Sequence, residues 1–156
     1  MPLPHLRPPG GGGFDAELSA RAIETARAAL AHLSVGPPLV RLGPGGETHV
    51  DVPIMYNGFA LDRIHFDPLS MRPLPKGKPG VEGVQRVREE EVRKSAQEIL
   101  SELRVLDAAE FRDPESAWAV PVAWRHLIVA HIKVSYDGGE LVPDYGLTGE
   151  VMRYAP

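Results

Sequence analysis

Two proline-centred segments, Val52-Pro53-Ile54 and Val120-Pro121-Val122, restrict this chain to few folds, because the sequence around the first recurs in register around the second. Proline has no donor for a sheet ladder, so within a strand-like run it is confined to an edge or a bulge. With Pro53 laid on Pro121, Tyr56 aligns with Trp124, Phe59-Ala60-Leu61 with Leu127-Ile128-Val129, Ile64 with Ile132, Phe66 with Val134 and Pro75 with Pro143. Upstream, at a slightly longer spacing, Ala22, Ala26, Leu30 and Leu33 align with Val92, Ala96, Leu100 and Leu103. Each half reads as a helix followed by antiparallel strands. Apolar alternation is common enough for unrelated hairpins to share some of this pattern. The shared mid-strand proline argues for duplication. The expected fold is α+β, with two repeated α-β-β-β units whose helices pack on antiparallel sheet, because each sheet must hide an apolar face.

Residues 1–13 carry Pro2, Pro4, Pro8, Pro9 and Gly10 to Gly13, a composition poor in donors and rich in chain entropy that reads as a Pro/Gly arm. The first unit is expected over 14–76, a linker over 77–83 and the second unit over 84–156, together forming one compact domain. Asp15 is a candidate N-cap for a helix over 15–33, with Phe14 able to pack back on its first turn. Leu18, Ala22, Ile23, Ala26, Leu30 and Leu33 form its stripe, and Gly36-Pro37-Pro38 ends it. Extended segments follow over 38–42, 48–56 and 59–67, and Asn57-Gly58 marks a hairpin. A two-residue turn there sets Asp51 against Ile64 and His49 against Phe66. A three-residue loop, Tyr56-Asn57-Gly58, sets Asp51 against Arg63, His49 against His65 and Val50 against Ile64. The second register separates a polar from an apolar face, apart from Asp62, and is preferred. Residues 68–83 form a long Pro/Gly/Lys connection. A second helix is expected over 84–108, with Val92, Ala96, Ile99, Leu103 and Leu106 on one face. Strands follow over 117–124 and 127–136, the latter expected to be central because both its faces are apolar. Asp137-Gly138-Gly139 turns the chain into short strands at Leu141-Val142 and Leu147 to Met152.

The second helix and strands, Tyr136-Asp137-Gly138-Gly139 and the closing Asp144-Tyr145-Gly146-Leu147-Thr148-Gly149-Glu150-Val151 resemble the PepSY pattern, which ends in an Asp, a Thr-Gly and an apolar strand. The resemblance covers mainly residues 88–153, and residues 16–76 only through the repeat, whose closing Phe66-Asp67-Pro68-Leu69-Ser70-Met71-Arg72 lacks the Gly. It implies a non-catalytic accessory or inhibitory module, through the repeat a tandem pair, and transfers no catalytic residue. PepSY domains often lie outside the cytoplasm. This chain departs from that, because its first residues lack the apolar stretch of a signal peptide and a cytoplasmic protein is expected.

The chain's chemistry is narrowed mostly by exclusion. Seventeen Lys and Arg stand against 21 Asp and Glu, for a net charge of −4 and a pI near 5.9, which argues against a general nucleic-acid binder. The absence of cysteine excludes disulfides, thiol catalysis and Cys-ligated metal. No run approaches the ~18–20 apolar residues of a membrane span. Gly10 to Gly13 and Gly43 to Gly46 lack the Lys-Ser/Thr of a phosphate loop, and neither G-x-S-x-G nor H-E-x-x-H occurs. Glu89-Glu90-Glu91 diverge around a helix and cannot converge on a metal. His126 and His131, five apart on a strand, point to opposite faces.

What remains is His49-Val50-Asp51 and His65-Phe66-Asp67. In the preferred register His49, Asp51 and His65 share a face and form a candidate divalent-metal set, since neutral imidazole suits zinc, copper, nickel or iron. The plain alternative is the wet face of a hairpin, with Asp51 paired to Arg63, whose charge opposes a neighbouring cation. The second half has Ala117, Ala119 and Lys133 where the first has His49, Asp51 and His65, so only the first half carries these groups.

These readings favour a non-enzymatic protein-binding or assembly module, acting on a protein partner or on further copies of itself, with no resident cofactor. The expected contact surface is Phe14, Tyr56 and Trp124 as aromatic anchors with the cations Arg72, Lys76 and Lys78. The alternative is a small metal- or histidine-dependent enzyme, or a ligand-binding protein, using the His49/Asp51/His65 face.

Overall fold

The computed structural model describes residues 13–78 and 80–154, with side chains from residue 16 onward. The expected arm therefore lies outside the described residues, except for Gly13, as do the side chains of Phe14 and Asp15. In chain order the elements are α1 (Gly13–Leu30), β1 (Ser34–Val35), β2 (Leu39–Leu42), β3 (Thr48–Tyr56), β4 (Phe59–Phe66), β5 (Gly80–Val81), α2 (Glu89–Leu100), β6 (Leu103–Val105), β7 (Glu110–Arg112), β8 (Ala117–Trp124), β9 (Leu127–Ser135) and α3 (Tyr145–Tyr154). The fold is α+β, and among the described residues it has three α-helices and two antiparallel sheets.

Each sheet is built on one long strand. β3 carries β1 and β2 along one edge and β4, continued by β5, along the other. β8 carries β6 and β7 along one edge and β9 along the other. The strand at the centre of the second ladder is thus β8, not β9 as expected; β9 reads as apolar on both faces because Leu127 and Val129 pack into the same core as Ala130, Ile132 and Val134, while Ile128 is exposed.

The β3–β4 hairpin follows neither expected register along its whole length. Asn57 (φ 49°) and Gly58 (φ 84°) form a two-residue left-handed turn, the kind whose twist matches flanking strands. Tyr56 pairs Phe59 and Met55 pairs Ala60; a bulge then intervenes, after which Ile54 pairs Asp62, Pro53 pairs Arg63 and Asp51 pairs His65. The second hairpin repeats this at the equivalent positions: Trp124 pairs Leu127 and Ala123 pairs Ile128, and after a bulge Val122 pairs Ala130, Pro121 pairs His131 and Ala119 pairs Lys133. The bulges carry Leu61 and Val129 as extra residues, and both are buried in the main core. Strict alternation fails here because one added residue reverses the parity of all that follows.

The two halves close on each other. α1 lies against β6, β8 and β9, whereas α2 lies against β1. Thr25 Oγ1 on α1 donates to the carbonyl of Gly138 beyond β9, and Ser95 Oγ on α2 donates to that of Met71 beyond β4, 2.8 Å away. Gly138 has φ +79°, and a Cβ on it would come within 2.8 Å of Arg21 Cβ and 3.1 Å of the Ala22 nitrogen. Two main-chain bonds make the same exchange: Lys76 N donates to Ile128 O and Asp144 N to Ala60 O, both at 2.8 Å. Residues from both halves, among them Ala22, Val52, Ile64, Val92, Val120 and Ile132, share one buried core.

Three element expectations need correction. α1 ends at Leu30 and α2 spans only Glu89–Leu100, because Ser34–Val35 and Leu103–Val105 pair with β3 and β8 as strands. Edge pairing outweighs helix propensity at these positions. The strand expected at Leu147 to Met152 is part of α3, where Leu147, Thr148 and Val151 are buried at helical spacing. Asp144 caps it, its Oδ1 accepting from Leu147 N at 2.9 Å. Leu141 makes only an isolated bridge to Val134.

Asp62 joins the halves by its side chain. Its carboxylate accepts from Lys76 Nζ (2.7 and 2.8 Å), from Arg63 N (2.8 Å) and from His131 N (2.7 Å). Asp62→Ala is expected to cost about 3 kcal/mol, because a half-buried ammonium and a strand N–H lose their acceptor together. Urea unfolding at neutral pH measures it; a loss below about 1 kcal/mol would show that water replaces the carboxylate.

Candidate functional site

Along β3 the residues Val50, Val52 and Ile54 face the main core, and Asp51 faces the other side of the sheet. There α3 seats Leu147 and Val151 against Leu39, Ala60 and Met55. Beside this small apolar seam lies a polar cluster. Asp51 is fully buried; its Oδ1 is 2.6 Å from His65 Nδ1, and its Oδ2 accepts from Arg63 at 3.0 Å. Arg63 divides its guanidinium between Asp51 and Glu150 of α3, at 3.0 and 2.7 Å. Arg41 adds a weaker contact to Asp51 at 3.9 Å. Burial pushes the Asp51 carboxyl up, but the hydrogen bonds from His65 and Arg63 outweigh it and leave the group below its ordinary value. Burial opposes the charge on Arg63 too, but its bonds to Asp51 and Glu150 hold the guanidinium above its ordinary value. The cluster is a charge-matched clamp that fixes α3 to the sheet.

The metal expectation meets a different arrangement. Asp51 faces His65 directly, whereas His49 pairs with Gly80 and Arg41 and not with His65. His49 Nε2 lies 3.2 Å from Glu47 Oε1, while its Nδ1 is buried without a partner among the described residues. Glu47 is held below its ordinary value by its own backbone N–H and then by His49. Among the described residues, no three His, Asp or Glu side chains are positioned to hold a metal ion. His131 is half-buried and held below its ordinary value, first by burial and then by the Arg112 charge.

The expected partner residues also separate. Trp124 is buried, its Nε1 donating to Glu102 at 3.0 Å and its ring covered by Arg125 at 4.4 Å, so it is no surface anchor. Lys76 is committed to Asp62. Arg72 and Lys78 are exposed but do not line the cavity that holds Tyr56. Tyr56 lines a cavity.

That cavity is a cleft of about 630 Å³ with three walls: the C-terminal part of α1 from Thr25 with His32 just beyond it, the tip of the β3–β4 hairpin and residues 139–143. Its floor is small and apolar, with Ala29, Leu61 and Pro143, and Tyr56 and Phe59 form a lip. The Phe59 ring, 45% exposed, meets the exposed ring of Tyr145 edge-on at 6.3 Å. A concave apolar site of this size with few polar groups is what small ligands and peptide side chains occupy. Sequence reasoning found Tyr56 but missed Phe59, Tyr145, His32 and Glu140. The Asn57-Gly58 turn was a signal for Phe59, since it sets both aromatic residues at the hairpin tip; Tyr145 enters only because α3 is a helix.

Compared with family models, curated proteins and solved structures, the chain matches none.

Arg63→Met is expected to cost about 3–5 kcal/mol, because it leaves Asp51 buried with one ionic partner fewer and frees Glu150. The pH dependence follows from the lowered Asp51 value. Its stabilisation is complete above about pH 4, where the unfolded carboxyl is ionised, and is lost as pH falls through the lower folded value. Urea midpoints measured from pH 7 to pH 2 should fall more steeply on the acid side for the native chain than for Asp51→Asn. Parallel curves would refute the assignment.

Proposed function

We propose that this protein is a non-enzymatic binding or assembly module that holds a partner in the cleft between α1 and the β3–β4 hairpin. The observation that carries this reading is the exposed aromatic lip over an apolar floor, at a position where three separate chain segments converge. The alternative chemistry has less to work with: Asp51, Arg63 and Glu150 are engaged with one another and with His65. The matched registers of the two hairpins support reading the halves as a duplicated α-β unit that has exchanged its helices. The PepSY resemblance belongs to the same proposal as a tandem pair of non-catalytic modules, although its closing apolar segment is helical in this chain. A cytoplasmic location is likewise part of the proposal. Among the described residues no helix is long and apolar enough to cross a membrane.

A second reading, a histidine-dependent activity, is favoured by one contact, the 2.6 Å Asp51–His65 pair, which orients an imidazole in the way a general base requires. A melting shift with zinc or nickel that vanishes in His49→Ala would favour its metal-dependent form.

Amide spectra of the full chain titrated with indole and with phenol test the binding reading. Shifts should gather around His32, Tyr56 and Phe59, and Phe59→Ala should weaken them about three- to tenfold. Native mass, with and without residues 1–13, reports self-assembly. A strict monomer with no shift at millimolar fragment would overturn the proposal.

A further inference from the structure

The polar groups around the cleft are unevenly charged, and this bears on what it admits. Glu140 lines the cleft, is exposed and has no ion-pair partner among the described residues. Asp144, exposed on the far side of Pro143, uses Oδ1 on the Leu147 N–H and forms no ion pair among the described residues. Several cations of the surrounding elements are already engaged: Lys133 with Glu115, Lys76 with Asp62, and Arg27 with Glu24. Arg21 donates to the Asp137 carbonyl. The carbonyl end of α1 forms one wall and adds partial negative charge. The cleft therefore has one carboxylate without an ion-pair partner among the described residues, Glu140, in its lining, with an apolar floor and aromatic faces at its lip. Aromatic faces attract guanidinium and ammonium groups, and proline-containing segments dock in aromatic-lined grooves at low entropic cost.

We propose that the cleft takes a cationic, proline-containing peptide segment, with proline or leucine on the Ala29/Leu61/Pro143 floor and an arginine or lysine turned toward Glu140. The inference rests on the binding reading above and adds the chemistry of the partner. A segment of this composition occurs in the chain itself: Leu3 to Pro9 holds Pro4, Pro8, Pro9 and Arg7 and no carboxylate. Its sequence, Leu-Pro-His-Leu-Arg-Pro-Pro, supplies the probe.

The experiment titrates the full-length labelled chain with this heptapeptide, capped at both ends, and with the same peptide carrying Glu in place of Arg. The basic peptide should shift amides within 25–32, 56–61 and 139–145, and the acidic peptide should bind at least about fivefold more weakly. Glu140→Lys should weaken the basic peptide about five- to tenfold, and rising salt should weaken it too. Equal binding of the two peptides, or shifts outside the cleft, would overturn the proposal. If indole shifts the cleft resonances and the basic peptide does not, the partner chemistry fails while the binding reading stands. If neither probe shifts them, the partner chemistry fails, and the binding reading falls with it when the native mass is that of a strict monomer.

Discussion

The architecture depends on an exchange of contacts between the halves, centred on the segments that leave β4 and β9. Each segment donates one main-chain bond to the other half, Lys76 to Ile128 and Asp144 to Ala60, and each half's helix reaches the other half's strands and the segment beyond them. The shared core follows from that, since Val50, Val52, Ile64, Val120, Ile132 and Val134 of these strands are buried together between the halves. Asp62 is the polar counterpart of this arrangement. Its carboxylate accepts from Lys76 and from the backbone of β9, so a charge at the junction is satisfied from both sides.

The two sheets diverge on their outer faces. In the first, α3 covers a row containing Asp51, Arg63 and His65, and the clamp to Glu150 fixes where the helix sits. In the second, the matching positions are Ala119, His131 and Lys133; Ala119 offers no carboxylate for such a clamp, and Lys133 pairs instead with Glu115. Buried ion pairs contribute little net stability compared with apolar packing, yet losing one partner is costly. The cluster's effect is therefore on specificity: it fixes α3 in one place, and with it Tyr145 against Phe59.

Much of this fold was legible in the sequence. The limits of β3 and β8 follow from apolar alternation and the Asn57-Gly58 turn, and the α+β class from the change of period. The bulges were not legible, because Leu61 and Val129 are apolar residues inside apolar runs and nothing local marks either as extra. The register error followed, and with it the expectation that His49 and His65 face each other. The strand expected at Leu147 to Met152 failed differently: Leu147, Thr148 and Val151 fit a helix only once Asp144 is recognised as a cap. In the cleft, Tyr56 was found from its place at a hairpin end. The other walls come from α1 and from the segment after β9, which tertiary folding brings together and no local pattern announces.

Thr148 Oγ1 accepts from the Ala60 N–H across 88 residues of chain, while Asp144 N donates to the Ala60 carbonyl. A chain made from its N-terminus thus completes β3 and β4 long before the helix that covers them exists. Until α3 has left the ribosome, Asp51 and Arg63 can stay hydrated, and their desolvation waits for that helix to dock. Putting charge on that face keeps the unfinished sheet from presenting a bare apolar surface to its neighbours during translation.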